Sequence, residues 1–245
     1  MGSRPNRRIN SAVSNAAKGK RVVIDGHVEH STLAIQASPG HSSTPSLPDR
    51  PDGTRLNLGC GSKRKPGFLG VDIGEGSAVD VRMDVMDYLR SLPPHSVQEI
   101  YSRHFLEHVE GRELHAMLLE FDRVLRPGGR VEVIVPHYSN PYFYSDPTHR
   151  TFFGVHTFSY FCDRSCLVRR VPRYTAIAGW SLVDVKLGFQ TYGKPKLLGV
   201  KLPKFSSLLN LLVNRSALSI ELFERYLCGL WSIYEVNYAI DKRAD

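Results

Sequence analysis

Histidines and carboxylates crowd one proline-broken stretch of this chain. Pro136 to Phe153, reading PHYSNPYFYSDPTHRTFF, gathers His137, Tyr138, Asp146, His149 and Arg150 among aromatic residues. Prolines fix a loop, and loops at the edge of a sheet supply binding and catalytic groups. A neutral imidazole can take a proton from a hydroxyl within hydrogen-bond reach near pH 7. His137 and His149 are therefore the candidate bases, with Asp146 placed to orient His149. Asp146-Pro147-Thr148 also reads as the cap of a helix running from Arg150 to Val155, in which case His149 merely packs. Upstream, His104 and His108 stand four apart with Glu107 between them, so on one helix both would face a metal ion. The order HExxH is absent. Cys162 and Cys166 have no matching second pair, and the expectation is that the chain holds no metal.

The elements that must position these groups begin at Thr54 to Ser62, TRLNLGCGS. Arg55 to Leu58 is a compact apolar strand pattern that runs into Gly59-Cys60-Gly61, a turn that permits close approach of a ligand to backbone amides. At the carboxyl end of a strand in an open α/β sheet, such a turn sits where ligands bind. Phe68 to Ile73 is a second strand, and Asp72 near its end is placed to accept hydrogen bonds from both hydroxyls of a ribose. There is no GxGxxG, and Asp72 follows Gly59 by only 13 residues, which points to a nucleoside without a pyrophosphate. Val79 to Met83 reads as a third strand, ended by Asp84, whose carboxylate could accept from the exocyclic amine of an adenine. Gln98 to Ser102 is a fourth. Arg112 to Leu125 follows as a helix, Arg126-Pro127-Gly128-Gly129 stops it, and Arg130 to Val135 alternates as a fifth strand.

LNLGCG, GVDI, the Asp84-Val85 step, SRHFLEHV and RVLRPGGRVEVIVP together resemble a class I S-adenosylmethionine-dependent methyltransferase, and within that class the small methyltransferases of bacterial polysaccharide and secondary-metabolite biosynthesis. The likeness runs over about residues 54 to 136. It implies a Rossmann-like α/β fold, a seven-stranded sheet with helices on both faces, to which this chain's own apolar pattern adds a helical cap inserted near the C-terminus. It implies S-adenosyl-L-methionine as cofactor, with Gly59, Cys60 and Gly61 at its methionine portion and sulfur, Asp72 and Ile73 at the ribose, and Asp84 and Val85 at the adenine. Many relatives carry an acidic residue where this chain has Asn57, and Asn57 can still hydrogen-bond the loop and the cofactor's amino group. His104 would line the cofactor pocket, with Glu107 and His108 opening the next helix.

At 245 residues, 42% hydrophobic and 23% charged, the chain can bury one full core. Residues 1–50, rich in Ser, Pro, Gly, His and Arg, read as a mostly disordered basic arm with Arg4, Arg7 and Arg8 and a short apolar patch around Val22. Residues 51–245 read as the catalytic domain, with a substrate cap from about 137–180 and 193–230. Ser181 to Gln190 and Ile233 to Ile240 would complete the sheet, and Leu208 to Leu230 reads as one or two amphipathic helices. Residues 163–204 carry nine basic residues (Arg164, Arg169, Arg170, Arg173, Lys186, Lys194, Lys196, Lys201 and Lys204) against Asp163 and Asp184, within a formal net charge of +8. Such a flank attracts anions, so the expected partner is a small acceptor bearing a sugar or phosphate. No RNA-binding module or stacking platform is visible, which places nucleic acid behind it. No apolar run reaches the roughly 20 residues of a membrane span, which leaves peripheral contact with a membrane as an option. Few cysteines and no apolar leader point to the cytoplasm. The expected reaction is methyl transfer to an oxygen and, in second place, a nitrogen. An RNA methyltransferase, an aminocarboxypropyl transferase or cyclase, and a non-catalytic scaffold are the other readings.

Overall fold

The computed structural model describes residues 53–190, 196–197, 200–201 and 205–244. The arm expected over residues 1–50, with Arg4, Arg7, Arg8 and Val22, lies outside the described residues, as do Lys194 and Lys204.

In chain order the strands are β1 (Thr54–Leu58), β2 (Leu69–Asp72), β3 (Val81–Arg82), β4 (Val97–Arg103), β5 (Leu125–Pro136), β6 (Cys162–Ser165), β7 (Ile177–Gly188), β8 (Lys196–Leu197), β9 (Val200–Lys201) and β10 (Glu235–Lys242). The helices are α1 (Val85–Ser91), α2 (Gly111–Val124), α3 (Phe205–Val213) and α4 (Ala217–Tyr226). Among the described residues, eight strands form one sheet in the order β3-β2-β1-β4-β5-β10-β7-β6, while β8 and β9 form a separate pair. The order in which strands are added reverses between β1 and β4, so the carboxyl ends of those two parallel strands open a crevice. β10 lies antiparallel between β5 and β7, with Tyr238 opposite both Val133 and Val185.

The sheet has one strand more than the seven expected. Cys162–Ser165 adds at the outer edge, parallel to β7. Its four residues, CDRS, carry no alternating apolar pattern, so periodicity alone does not reveal it.

One face of the sheet carries the core. Leu56, Leu58, Ile100, Val131, Val133, Val135, Val236 and Tyr238 point to it and are buried. α2 lays Leu114, Met117, Leu118, Phe121 and Val124 against them at helical spacing. Each such side chain fully buried contributes about 1.5–3 kcal/mol. Asp84 starts α1 by accepting from the amides of Met86 and Asp87. Ser216 starts α4 with a reciprocal cap through Ser219. The opposite face is polar and half-buried. There Lys65 joins the short β1–β2 connection to the sheet, 2.7 Å from Glu132 and 3.9 Å from the centre of the Tyr101 ring.

No helix forms over Arg150 to Val155. The amides of Arg150 and Thr151 instead donate to the carbonyl of Glu107, at 2.7 and 3.1 Å, and Phe153 bridges to His137. Those tertiary partners hold the segment extended and override the capping pattern before it.

Candidate active site

β1 ends at Gly59 (φ +64°), and Gly61 (φ +49°) follows two residues later, both left-handed conformations that favour glycine. Their reasons for being glycine differ. A Cβ on Gly59 would come within 2.4 Å of the Phe105 side chain, so Gly59 makes room for the segment that follows β4. A Cβ on Gly61 would meet no atom within 4 Å, so Gly61 faces open space. Asp72 at the end of β2 holds this loop. Its Oδ2 accepts from the Gly61 amide and its Oδ1 from the Gly74 amide, each at 2.8 Å. Each carboxylate oxygen has a second lone pair to offer a hydroxyl. Asn57 donates from Nδ2 to the carbonyl of Lys63 at 3.0 Å, closing the loop from below. Cys60 is buried with Sγ 3.4 Å from the Ala78 carbonyl, and burial, with the Asp72 charge adding to it, pushes its thiol up to about 11. It remains a neutral small residue of the loop. A cavity of about 270 Å³ opens beside Gly59 and Cys60, walled by Asn57, Tyr101 and Arg103.

Beyond Asp72, Ile73 is 69% exposed, an apolar surface at the lip of the crevice. Asp84 uses Oδ1 for both cap bonds to α1. The Val85 side chain lies in the core, so what it offers a ligand is its amide at the first turn of α1, where N–H groups have no partner within the helix.

His104 follows β4 with φ +52°, a strained backbone for a residue that has a Cβ. Its Nε2 lies 3.2 Å from Glu235 Oε2, which also takes Arg103 Nη2 at 3.2 Å. Burial alone would raise the Glu235 carboxyl, yet the bond from His104 and the charge of Arg103 hold it below the usual range. Glu235 starts β10, 131 residues from His104, and no local pattern marks it as a partner.

His104 and His108 do not converge. Phe105 turns back onto Gly59, and Leu106–His108 forms a short 3-10 turn that carries Glu107 and His108 toward the proline-broken loop. There Glu107, His108 and His149 each bring one ligand-type atom within 4.8 Å of the others. The rings of His108 and His149 meet edge to face at 4.9 Å, and that of Phe143 lies 4.7 Å from His149. His149 Nδ1 lies 2.9 Å from the Phe143 carbonyl. A carbonyl only accepts, so Nδ1 carries the proton and Nε2 the lone pair. Asp146 reaches His149 Nε2 at 3.7 Å, while its stronger bonds are from the Thr148 amide and hydroxyl, at 2.9 and 2.6 Å. Those bonds hold the Asp146 carboxyl below its usual range. Glu107 is buried, and desolvation pushes its carboxyl up to about 8. Burial and the neighbouring His149 lower His108. Sequence reasoning set His108 beside His104 and expected no metal; it missed His149 as the neighbour of Glu107 and His108, because the loop that delivers that residue folds by backbone bonds to Glu107.

His137 occupies a different kind of place. It is wholly buried, its Nδ1 accepting from the Ser139 amide at 3.1 Å with the Ser139 hydroxyl at 2.9 Å. Its Nε2 lies 2.9 Å from Glu224 Oε1, which also accepts from the Val155 amide at 2.7 Å. Both ring nitrogens are thus engaged, and in this geometry neither is free to take an acceptor's proton.

Past this pair lies a cavity of about 550 Å³ walled by Tyr138, His156, Tyr160, Tyr174, Arg169 and Glu224. Thr151, whose amide donates to Glu107, lines it too, so its wall continues into the histidine cluster. Arg169 also borders a second cavity of about 310 Å³, together with Arg170 and Arg173.

The family model described as a methyltransferase domain matches residues 56–133, the span from β1 to the middle of β5. Among solved structures, a SAM-dependent methyltransferase from Archaeoglobus fulgidus is similar at 19% identity and a TM-score of 0.52, covering 78% of this chain and 87% of that one. A chain of the Haloferax volcanii complex of the Trm112 methyltransferase activator with a methyltransferase matches at 15% identity and a TM-score of 0.43, covering 82% and 87%. The geranyl diphosphate C-methyltransferase of Streptomyces coelicolor A3(2) matches at 16% identity and 0.42, covering 78% and 71%. No curated protein matches the chain. Strand order and the glycine loop define the class I methyltransferase fold. Residues 56–133 match the methyltransferase domain model, and the chain shares its fold with the similar S-adenosylmethionine-dependent methyltransferase. The residues fit S-adenosylmethionine: a loop open to close approach at Gly61, a carboxylate at Asp72 and an uncovered Ile73 lie together at one edge of the crevice. Among the described residues, no helix is long and apolar enough to cross a membrane.

Proposed function

We propose that the enzyme transfers its methyl group to an oxygen, and in second place a nitrogen, of a small acceptor that is anionic or sugar-linked. Bound at the crevice, S-adenosylmethionine supplies a methyl group on a sulfonium, whose sulfur departs as a neutral thioether. The Gly59-Cys60-Gly61 loop, Asn57 and His104 border its amino-acid end, Asp72 and Ile73 hold its ribose, and Asp84 with the Val85 amide its adenine. The single observation that carries the reaction is His149 itself, whose Nδ1 is held 2.9 Å from the Phe143 carbonyl and whose ring clusters with Glu107 and His108 on the segment that packs on the glycine loop. His149 takes the acceptor's proton as the oxygen is methylated, and most of the rate comes from holding the two reactants in line. The Phe143 carbonyl keeps the His149 ring in its Nδ1-protonated tautomer, and the Asp146 carboxylate, 3.7 Å from Nε2, stabilises the imidazolium that forms when the proton is taken. His137 acts as a positioning residue, tying Glu224 to the loop. Arg169, Arg170 and Arg173 supply the positive lining that an anionic acceptor needs. Four unpaired cysteines suit the reduced cytoplasm.

The test is to incubate the protein with S-adenosylmethionine and a panel of sugar nucleotides, sugar phosphates and acidic metabolites, following cofactor products. Release of S-adenosylhomocysteine with one panel member supports the reading. Methylthioadenosine in its place would indicate aminocarboxypropyl transfer, and turnover only with RNA, falling steeply with salt, would replace the acceptor class.

A further inference from the structure

We propose that Glu107, His108 and His149 form a binding site for a divalent transition-metal cation, zinc(II) foremost. Two imidazoles and a carboxylate are a donor set that such ions favour, and three protein ligands leave a position open. One ligand atom from each residue already lies within 4.8 Å of the other two. Bound to one ion at about 2.1 Å, they would stand roughly 3.4 Å apart, so binding would draw the three groups closer together.

Both rings are set for ligation. Thr148 Oγ1 donates to Asp146 at 2.6 Å and so accepts from His108 Nδ1 at 2.9 Å. The Phe143 carbonyl does the same for His149. Each imidazole therefore has its Nδ1 proton held by an outer partner and its Nε2 lone pair free, the arrangement that outer-sphere hydrogen bonds impose on metal-bound histidines.

The independent observation is Glu107. Its side chain is 1% exposed, and its Oε2 has no hydrogen-bond partner among the described residues. A buried carboxylate oxygen left without a partner is costly, and a cation would satisfy it. The purpose of the site, though not its existence, rests on the methyl-transfer reading. The open position would receive the acceptor oxygen and lower the pKa of its proton, which would then pass to water, His149 being a ligand and not the base in the loaded enzyme.

The full chain, stripped with a chelator, is titrated with zinc(II) by calorimetry and with cobalt(II) by visible absorption, without acceptor or cofactor. One equivalent bound, with a cobalt band displaced by zinc, is the expected result. Glu107→Gln, His108→Ala and His149→Ala should each weaken binding tenfold or more, while His115→Ala on α2 leaves it unchanged. No saturable binding, or equal affinity in all three variants, overturns the proposal. Each variant's fold is checked by its affinity for S-adenosylhomocysteine, and if the buried Glu107→Gln does not fold, His108→Ala at the surface decides. Because no acceptor is present, a negative result leaves methyl transfer with His149 as base standing, and absent turnover leaves the cation result intact.

Discussion

His137 and His149 come from one loop and carry the same ring, yet their surroundings differ. The His137 ring is closed off: Ser139 takes one nitrogen, Glu224 the other, and no solvent reaches it. The His149 ring is half-finished, with one nitrogen anchored to a carbonyl and the other left among Glu107, His108 and Asp146. A residue whose hydrogen bonds are all made inside the protein stabilises it. One whose lone pair is kept open by its neighbours can act on something else.

The comparison sharpens most on turnover. His149→Ala should lower kcat by about 10²- to 10⁴-fold with unchanged affinity for S-adenosylhomocysteine. A loss under tenfold would return it to the same class as His137. His137→Ala should instead act on the fold, costing about 1–3 kcal/mol in denaturant unfolding because Glu224 loses its donor. Full stability with lost turnover would reverse the two roles. Asp72→Ala should weaken S-adenosylhomocysteine binding by about 1–2 kcal/mol in calorimetry and leave the histidine cluster untouched. Unchanged affinity would remove the ribose from Asp72.

The smallest effect concerns pH. The folded protein holds the Glu107 proton up to about 8, above the ordinary 4.5, so it binds that proton more tightly than the unfolded chain. This contribution to stability is complete below pH 4.5 and is lost as pH rises toward 8. Thermal melts of the chelator-stripped protein from pH 5 to 8 should show this decline, and Glu107→Gln should flatten it. Equal slopes would place the titrating group elsewhere.

What the sequence reveals here is what local pattern encodes. The glycine turn, Asp72 at the end of β2, and α2 with its apolar face are each set by residues within a few positions of one another. Asp84 shows the limit, since an aspartate after a short strand and before a helix suits both an adenine and a helix cap, and the structure shows it making the cap. The hidden features depend on distant partners. Glu224 meets His137 across 87 residues and Glu235 meets His104 across 131. The Glu107 carbonyl, not a capping signal, sets the conformation of Arg150 and Thr151 and so delivers His149.

The most direct test of the whole account is a crystal structure with S-adenosylhomocysteine bound. The account predicts the ribose on Asp72, the amino-acid end at Gly61 and the sulfur turned toward Glu107, His108 and His149. A nucleoside seated away from Asp72, or a sulfur facing away from that cluster, would contradict it.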